Sequence, residues 1–146
     1  MRSGNLIFAV TLLLSACGHA SPPPVDPAVA AQRRTDSVLA AHKDAAPALA
    51  DEARRTMVQL LKNPASAIFD SLTVVQPALS DGTWPSPVVC ARIGGKPGVK
   101  GATGMTPFIY RNPMTVFVLD HDNAKPFADL RAKYCGGPGS QILLTK

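Results

Sequence analysis

Val88-Val89-Cys90-Ala91-Arg92-Ile93 is the stretch of sequence that decides the fold. Its β-branched and apolar residues predict a strand, which Gly94-Gly95 ends. Three further runs of strand-forming residues surround it, at 67–76, 105–110 and 114–119. The short spacings between these runs favour an antiparallel meander.

Two details qualify this sheet. Ile68, Leu72 and Val74 fit one face of their strand, but Asp70 falls on the same face, so we expect the regular strand to begin near Leu72. Pro107 has no N–H to donate to a ladder and is expected to confine its strand to a sheet edge or a bulge.

An amphipathic helix is predicted to begin near Pro47, because proline suits a first helical position. Apolar residues follow mostly at spacings of three and four: Leu49, Ala53, Met57, Leu60 and Leu61. Asp51 and Arg55 form an i,i+4 pair, and Asn63-Pro64 stops the helix. We expect its apolar face to pack on the core; the alternative is a membrane-surface or partner-binding helix.

A short helix is predicted at 125–134, where Phe127, Leu130 and Tyr134 share a face and Gly136 is a suitable C-cap. The tail at 142–144 either adds an edge strand or frays. The predicted fold class is therefore α+β: an N-terminal amphipathic helix on a small antiparallel sheet, with a short C-terminal helix.

The N-terminus carries a targeting signal. Arg2 precedes an apolar run, Leu6–Leu14, that is too short to span a bilayer. The following Leu14-Ser15-Ala16-Cys17 resembles the lipobox of bacterial lipoproteins. The resemblance implies that residues 1–16 are a signal peptide and that Cys17 is the lipidation site, taking a diacylglyceryl group. The alternative is an ordinary secretory signal with a chance cysteine.

The residues after Cys17 suggest a destination and a spacer. Gly18 in place of Asp resembles outer-membrane sorting in enterobacterial lipoproteins, so we expect a lipid-anchored protein on the periplasmic side of the outer membrane. Residues 17–46 are interpreted as a Pro/Ala-rich, partly helical tether of roughly 30 Å. Alternatively, 28–46 packs on the domain as a helix. Residues 47–146 form the predicted globular domain.

The chain has three cysteines. With Cys17 lipidated, Cys90 and Cys135 most simply form a disulfide in the oxidising envelope, closing a loop worth roughly 4 kcal/mol in the chain-entropy model. Two buried free thiols are the alternative. This pair lacks the spacing and the nearby histidines of a metal site, so no metal or cofactor is expected.

Two segments resemble a group of short secreted or lipidated bacterial proteins, some of them phage-associated. They are Leu61-Lys62-Asn63-Pro64-Ala65-Ser66-Ala67-Ile68-Phe69, and 89–98 with 101–108. Ala91 and Gly94 depart from the group's usual Gly and Asn. The resemblance implies a small α+β domain and no activity.

Candidate chemistry is sparse. Asp120-His121-Asp122 could bind metal or hold a general base, but neighbouring strand side chains point to opposite faces. We interpret it as a polar turn before a helix, with Asn123 as N-cap. His19 and His42 have no evident partner nearby. The glycine-rich stretch 94–104 lacks the order of a phosphate loop and is interpreted as a hairpin loop whose Lys96 and Lys100 could contact a partner.

The net charge is +5, and the basic residues are scattered along the chain. They do not form a basic surface stripe together with several aromatic residues, so nucleic-acid binding is not expected. No catalytic residues are proposed. Three functions remain: an envelope lipoprotein whose domain binds another envelope protein or a cell-wall component, a purely structural envelope lipoprotein, and a small hydrolase or metal-dependent enzyme using His121.

Overall fold

The computed structural model describes residues 26–78, 85–95 and 104–146. The predicted signal peptide 1–16, the predicted lipidation site Cys17, and Gly18, His19, Lys96 and Lys100 lie outside the described residues. Its helices and strands are α1 Pro27–Gln59, β1 Ile68–Gln76, β2 Val88–Gly94, β3 Thr106–Asn112, β4 Thr115–Val118, α2 Ala124–Cys135 and β5 Gln141–Thr145, with single 3-10 turns at Pro64–Ser66 and His121–Asn123.

The five strands form one sheet in the order β4-β3-β2-β1-β5, and every neighbouring pair is antiparallel. This confirms the predicted α+β class and the meander from β1 to β4. The C-terminal tail forms β5 at the sheet edge beside β1, and α2 confirms the predicted short helix.

The helix α1 begins at Pro27, not near Pro47 as predicted. Asp26 caps it by accepting a hydrogen bond from the Ala28 amide at 2.8 Å. Pro47 lies inside the helix and faces solvent, while its neighbours Ala46 and Ala50 are fully buried against the sheet. Packing by these alanines explains why the helix continues through a residue that ordinarily ends one.

The buried face of α1 is narrower than predicted. It consists of Ala46, Ala50, Ala53 and Met57. Leu60 is half-exposed at the C-cap and does not belong to this face.

The predicted pair of Asp51 with Arg55 is replaced by two other contacts. Asp51 lies 3.4 Å from Arg54 and 3.7 Å from Lys146 at the chain terminus. Both pairs are at least partly exposed, so their contribution to stability is small.

The helices cover opposite faces of the sheet. Val74 and Val89 pack with the buried side chains of α1. Their neighbours Val75 and Val88 pack with Phe127 of α2. Because successive strand residues point to opposite faces, the sheet is the middle of three layers.

A bulge in β1 changes which residues face α1. The pairing with β2 shifts between Asp70 and Thr73, and Ser71 at that point has φ 55°. The extra residue reverses the alternation, so Phe69 packs in the α1 cluster with Leu72, whereas Ile68 is 62% exposed. The prediction that Ile68 shares a face with Leu72 is wrong for this reason.

Pro107 lies in an interior strand, contrary to the prediction of an edge or bulge. Its carbonyl accepts a hydrogen bond from the Leu119 amide, just past the end of β4. The nitrogen and the carbonyl oxygen of a strand residue point to the same side. The nitrogen of Pro107, which carries no hydrogen, therefore points toward the end of β4 and not toward β2. The ladder to β2 therefore loses no bond.

The disulfide between Cys90 and Cys135 is formed, with the two Cα atoms 5.9 Å apart. It joins the C-terminus of α2 to the middle strand of the sheet. Within the ranges that the structure describes, no helix has the length and apolarity needed to cross a membrane.

Candidate functional site

The Asp120-His121-Asp122 segment is a helix-capping structure. The Asp120 carboxylate accepts hydrogen bonds from the amides of Asp122 at 3.0 Å and Asn123 at 3.1 Å. The Asn123 side chain accepts one from the Asp120 amide in return, at 2.9 Å. This reciprocal pair starts the turn that leads into α2.

The same geometry separates the three side chains that could have formed a site. His121 and Asp122 are fully exposed, 3.2 Å apart, while Asp120 points back into the turn. Over the described part of the chain, no group of three histidine, cysteine or acidic residues could hold a metal ion. The segment is thus the polar turn that was predicted, but its capping residue is Asp120. Asn123, the predicted N-cap, makes no side-chain cap hydrogen bond to α2.

His42 has a partner that sequence reasoning missed. Its Nδ1 is hydrogen-bonded to Oε1 of Gln76, a fully buried residue at the end of β1. The Gln76 amide nitrogen donates to the carbonyls of Pro77 at 3.2 Å and Pro85 at 2.6 Å. Both amide hydrogens are thereby used, so Oε1 must accept and His42 must carry its proton on Nδ1. The histidine is a structural tie between α1 and the sheet.

Tyr110 is a second buried polar side chain against α1. Desolvation raises the pKa of Tyr110 above its ordinary value, and the nearby Glu52 carboxylate adds to that shift. Among the described residues its hydroxyl has no hydrogen-bond partner of normal geometry, although Thr56 and Glu52 lie beside it. Tyr110 is fully buried in the cluster that packs on α1, so we assign it to the core.

The glycine-flanked pocket is an opening of about 440 Å³ at the end of the sheet where β1 begins, β2 ends and β3 begins. It is lined by Ala65, Ser66, Ala67, Ile68, Gly94, Gly95, Gly104 and Met105. The lining thus brings together residues 65–68, 94–95 and 104–105, which are distant in the chain.

Two glycines shape this pocket by close approach. A Cβ on Gly94 would lie 2.7 Å from the Met105 sulfur and 3.2 Å from the Gly104 carbonyl oxygen. A Cβ on Gly95 would lie 3.0 Å from the Ser66 hydroxyl. Glycine at both positions allows three chain segments to meet closely. Ile68, which also lines the pocket, is 62% exposed.

A second opening, the disulfide cleft, lies between α2 and the part of the sheet that α2 leaves uncovered. Its volume is about 690 Å³, and the Cys90–Cys135 disulfide forms part of its wall. The two cysteines predicted as a structural pair are therefore also lining residues of a cleft.

No family model, curated protein or solved structure was found to match the chain. The lipobox and the likeness to short secreted bacterial proteins thus stay predictions from sequence, and the functional argument rests on the geometry of the described residues.

Proposed function

We propose that this chain is a lipid-anchored cell-envelope protein, held at the periplasmic face of the outer membrane by Cys17, whose domain is a non-enzymatic binding module. Its partner is another envelope protein, and the glycine-flanked pocket is where that partner docks. The observation that carries the proposal is the open apolar end of the sheet, with Ile68 62% exposed beside a pocket of about 440 Å³.

The chemistry of the pocket favours a protein side chain as its occupant. Its wall is mostly apolar, formed by small residues with Met105 as an adaptable thioether. An apolar side chain inserted here would be removed from water once the partner covers the opening, which is the usual geometry of an energetic anchor at an interface. Lys96 and Lys100 lie in the sequence between Gly95 and Gly104. A partner with carboxylates around its apolar anchor would complement them.

The length of α1 supports a role as a spacer between the membrane anchor and the binding module. Its 33 residues give a length of about 50 Å. The first fully buried residue, Ala46, comes about 28 Å after the start of the helix. The part of α1 before His42 therefore extends mostly exposed from the domain, as a helical spacer where a partly helical tether had been predicted.

In-cell crosslinking of the tagged, lipidated chain followed by mass spectrometry tests the proposal. We expect one stoichiometric partner, which Ile68→Arg loses. Met114→Arg is the matched control, because Met114 is 97% exposed on the β3–β4 turn, outside the pocket. A Cys17→Ser chain with a cleavable signal should lose the partner through misplacement.

Equal capture by the Ile68→Arg and wild-type chains would overturn the pocket as the docking site. Failure of several crosslinkers to capture any partner would refute the binding module. It would favour the alternative, a purely structural envelope lipoprotein whose long helix acts as a spacer.

A further inference from the structure

We propose that the disulfide cleft binds a ligand with a single carboxylate next to an apolar portion. The cleft is a different site from the glycine-flanked pocket, and this inference does not depend on it. Residues of β1, β2, β3, α2 and β5 line it, among them Arg92, Arg131, Ile142 and the two disulfide cysteines, Cys90 and Cys135.

The cleft exists because α2 covers only part of its face of the sheet. Phe127 packs on Val75, Val88 and Ile109, at one end of that face. Arg92 follows Cys90 by two residues and so lies on the same face, beyond the cover of α2. The disulfide fixes the separation between helix and sheet, and the resulting volume of about 690 Å³ is that of an ordinary small-ligand site.

Two arginines give the cleft its charge. Arg92 comes from β2 and Arg131 from α2, so they line walls formed by different elements. Arg131 is exposed and has no carboxylate partner in the described segments. Arg92 contacts Asp70 at 3.5 Å, with the two side chains 45% and 50% exposed. A contact of this length and exposure is weak and can be exchanged for a ligand.

The balance of charge favours a monoanion. The two guanidinium groups and the Asp70 carboxylate leave one net positive charge around the cleft. A carboxylate suits it, because guanidinium binds carboxylate through two parallel hydrogen bonds. A phosphate dianion would leave the cleft with one net negative charge, and the Asp70 carboxylate would repel it.

The Asp70 side chain is itself held in place by a strained residue. The Ser71 hydroxyl donates to Asp70 at 3.0 Å, and Ser71 has φ 55° in the bulge of β1. Left-handed backbone is unfavourable at a non-glycine residue and occurs preferentially at functional sites. The bulge thus places the carboxylate that competes with the ligand for Arg92.

The apolar portion of the ligand has a surface to contact. Ile142 of β5 is 70% exposed and lines the cleft together with Ala128 and Ala132 of α2. A ligand with a short aliphatic chain beside its carboxylate would cover this isoleucine while its anionic end lies between the arginines. Both a free aliphatic acid and the carboxyl terminus of a peptide present that chemistry.

Titration calorimetry on the detergent-solubilised full chain, at low salt, tests the site. The probes are hexanoate, the peptide acetyl-Ala-Leu with a free carboxylate, and the same peptide as its amide. We expect at least one carboxylate probe to bind and the amide to bind about tenfold more weakly or not at all. Comparison of hexanoate with the peptide distinguishes the two sources.

Variants then locate the binding. Arg131→Gln should weaken the tighter probe about tenfold, whereas Lys125→Gln, an exposed α2 charge outside the cleft, should not change it. Asp70→Asn should tighten binding roughly three- to tenfold, because it removes the competitor for Arg92. Circular dichroism and a thiol assay confirm that each variant is folded and disulfide-bonded.

No binding by either carboxylate, equal binding of the amide, or wild-type affinity in Arg131→Gln would overturn the proposal. Weaker binding in Asp70→Asn would also overturn it. Substitution of a residue that only holds the cleft in shape would weaken binding, whereas substitution of a competitor for Arg92 would tighten it.

Discussion

His42 Nδ1 on α1 and Gln76 Oε1 at the end of β1 are hydrogen-bonded to each other across the interface of helix and sheet. The bond joins residues 34 positions apart and makes His42 part of the domain, although its sequence position had suggested a tether. The open alternative, that the Ala-rich run packs on the domain as a helix, holds from His42 onward.

Replacing His42 by alanine should lower the free energy of unfolding by about 1–3 kcal/mol, because the buried Gln76 oxygen would lose its donor. Urea denaturation monitored by circular dichroism measures the change. Lys43→Ala, at the next and exposed position, is the matched control and should stay within about 0.5 kcal/mol of wild type. Equal stability of the two variants would show that Gln76 is satisfied without the histidine.

The fold was predictable where the apolar pattern is strong and local. β2, β4 and α2 follow from runs of apolar residues at regular spacing. The Cys90–Cys135 disulfide was predictable because only two cysteines remain once Cys17 is assigned to lipidation. The start of α1 was missed because its buried face consists largely of alanines such as Ala46 and Ala50, which carry little pattern. The reversal at Ser71 was missed because a bulge depends on pairing with another strand. His42–Gln76 and the Arg92–Arg131 cleft depend on contacts far apart in sequence.

Tyr110→Phe should keep or slightly raise stability at neutral pH, by up to about 1 kcal/mol, because it removes a buried hydroxyl without a well-formed hydrogen bond. Tyr110→Leu is the control for lost packing and should destabilise. The denaturation midpoints of the wild type, Tyr110→Phe and Tyr110→Leu measure these differences in stability. A loss above about 1 kcal/mol in the phenylalanine variant would show that Thr56 or Glu52 binds the hydroxyl productively.

Tyr110 should also make stability depend on alkaline pH. Its pKa in the folded protein is raised above the ordinary 10.0, so the folded state holds the phenolic proton more tightly than the unfolded state. Its contribution is complete below pH 10 and is lost as the pH rises above 10 toward the folded-state pKa. Tyr110→Phe should show a smaller fall in unfolding free energy between pH 9.5 and 11, and parallel curves would contradict this.

Gly104→Ala should destabilise the domain by about 1 kcal/mol, because Gly104 has φ 97° while no atom of the described residues would obstruct the added methyl group. Gly136→Ala is the matched control, since it has open space and no left-handed backbone. Thermal unfolding should place Gly136→Ala at or above wild type. Equal stability of the two variants would mean that the backbone at Gly104 relaxes without strain.

Replacing Cys90 and Cys135 together by alanine should lower stability by about 2–4 kcal/mol, because the disulfide closes a loop with a sequence separation of 45. It should also loosen α2, whose remaining hold on the sheet is buried Phe127 with half-buried Leu130 and Tyr134. Hydrogen exchange separates the two effects. A constraint on the unfolded state alone would speed exchange equally in α1 and α2, whereas loss of docking would speed α2 selectively. We expect faster exchange in α2 alone, because a single fully buried side chain contributes too little packing energy to keep a short helix from fraying. An unchanged denaturation midpoint would contradict both.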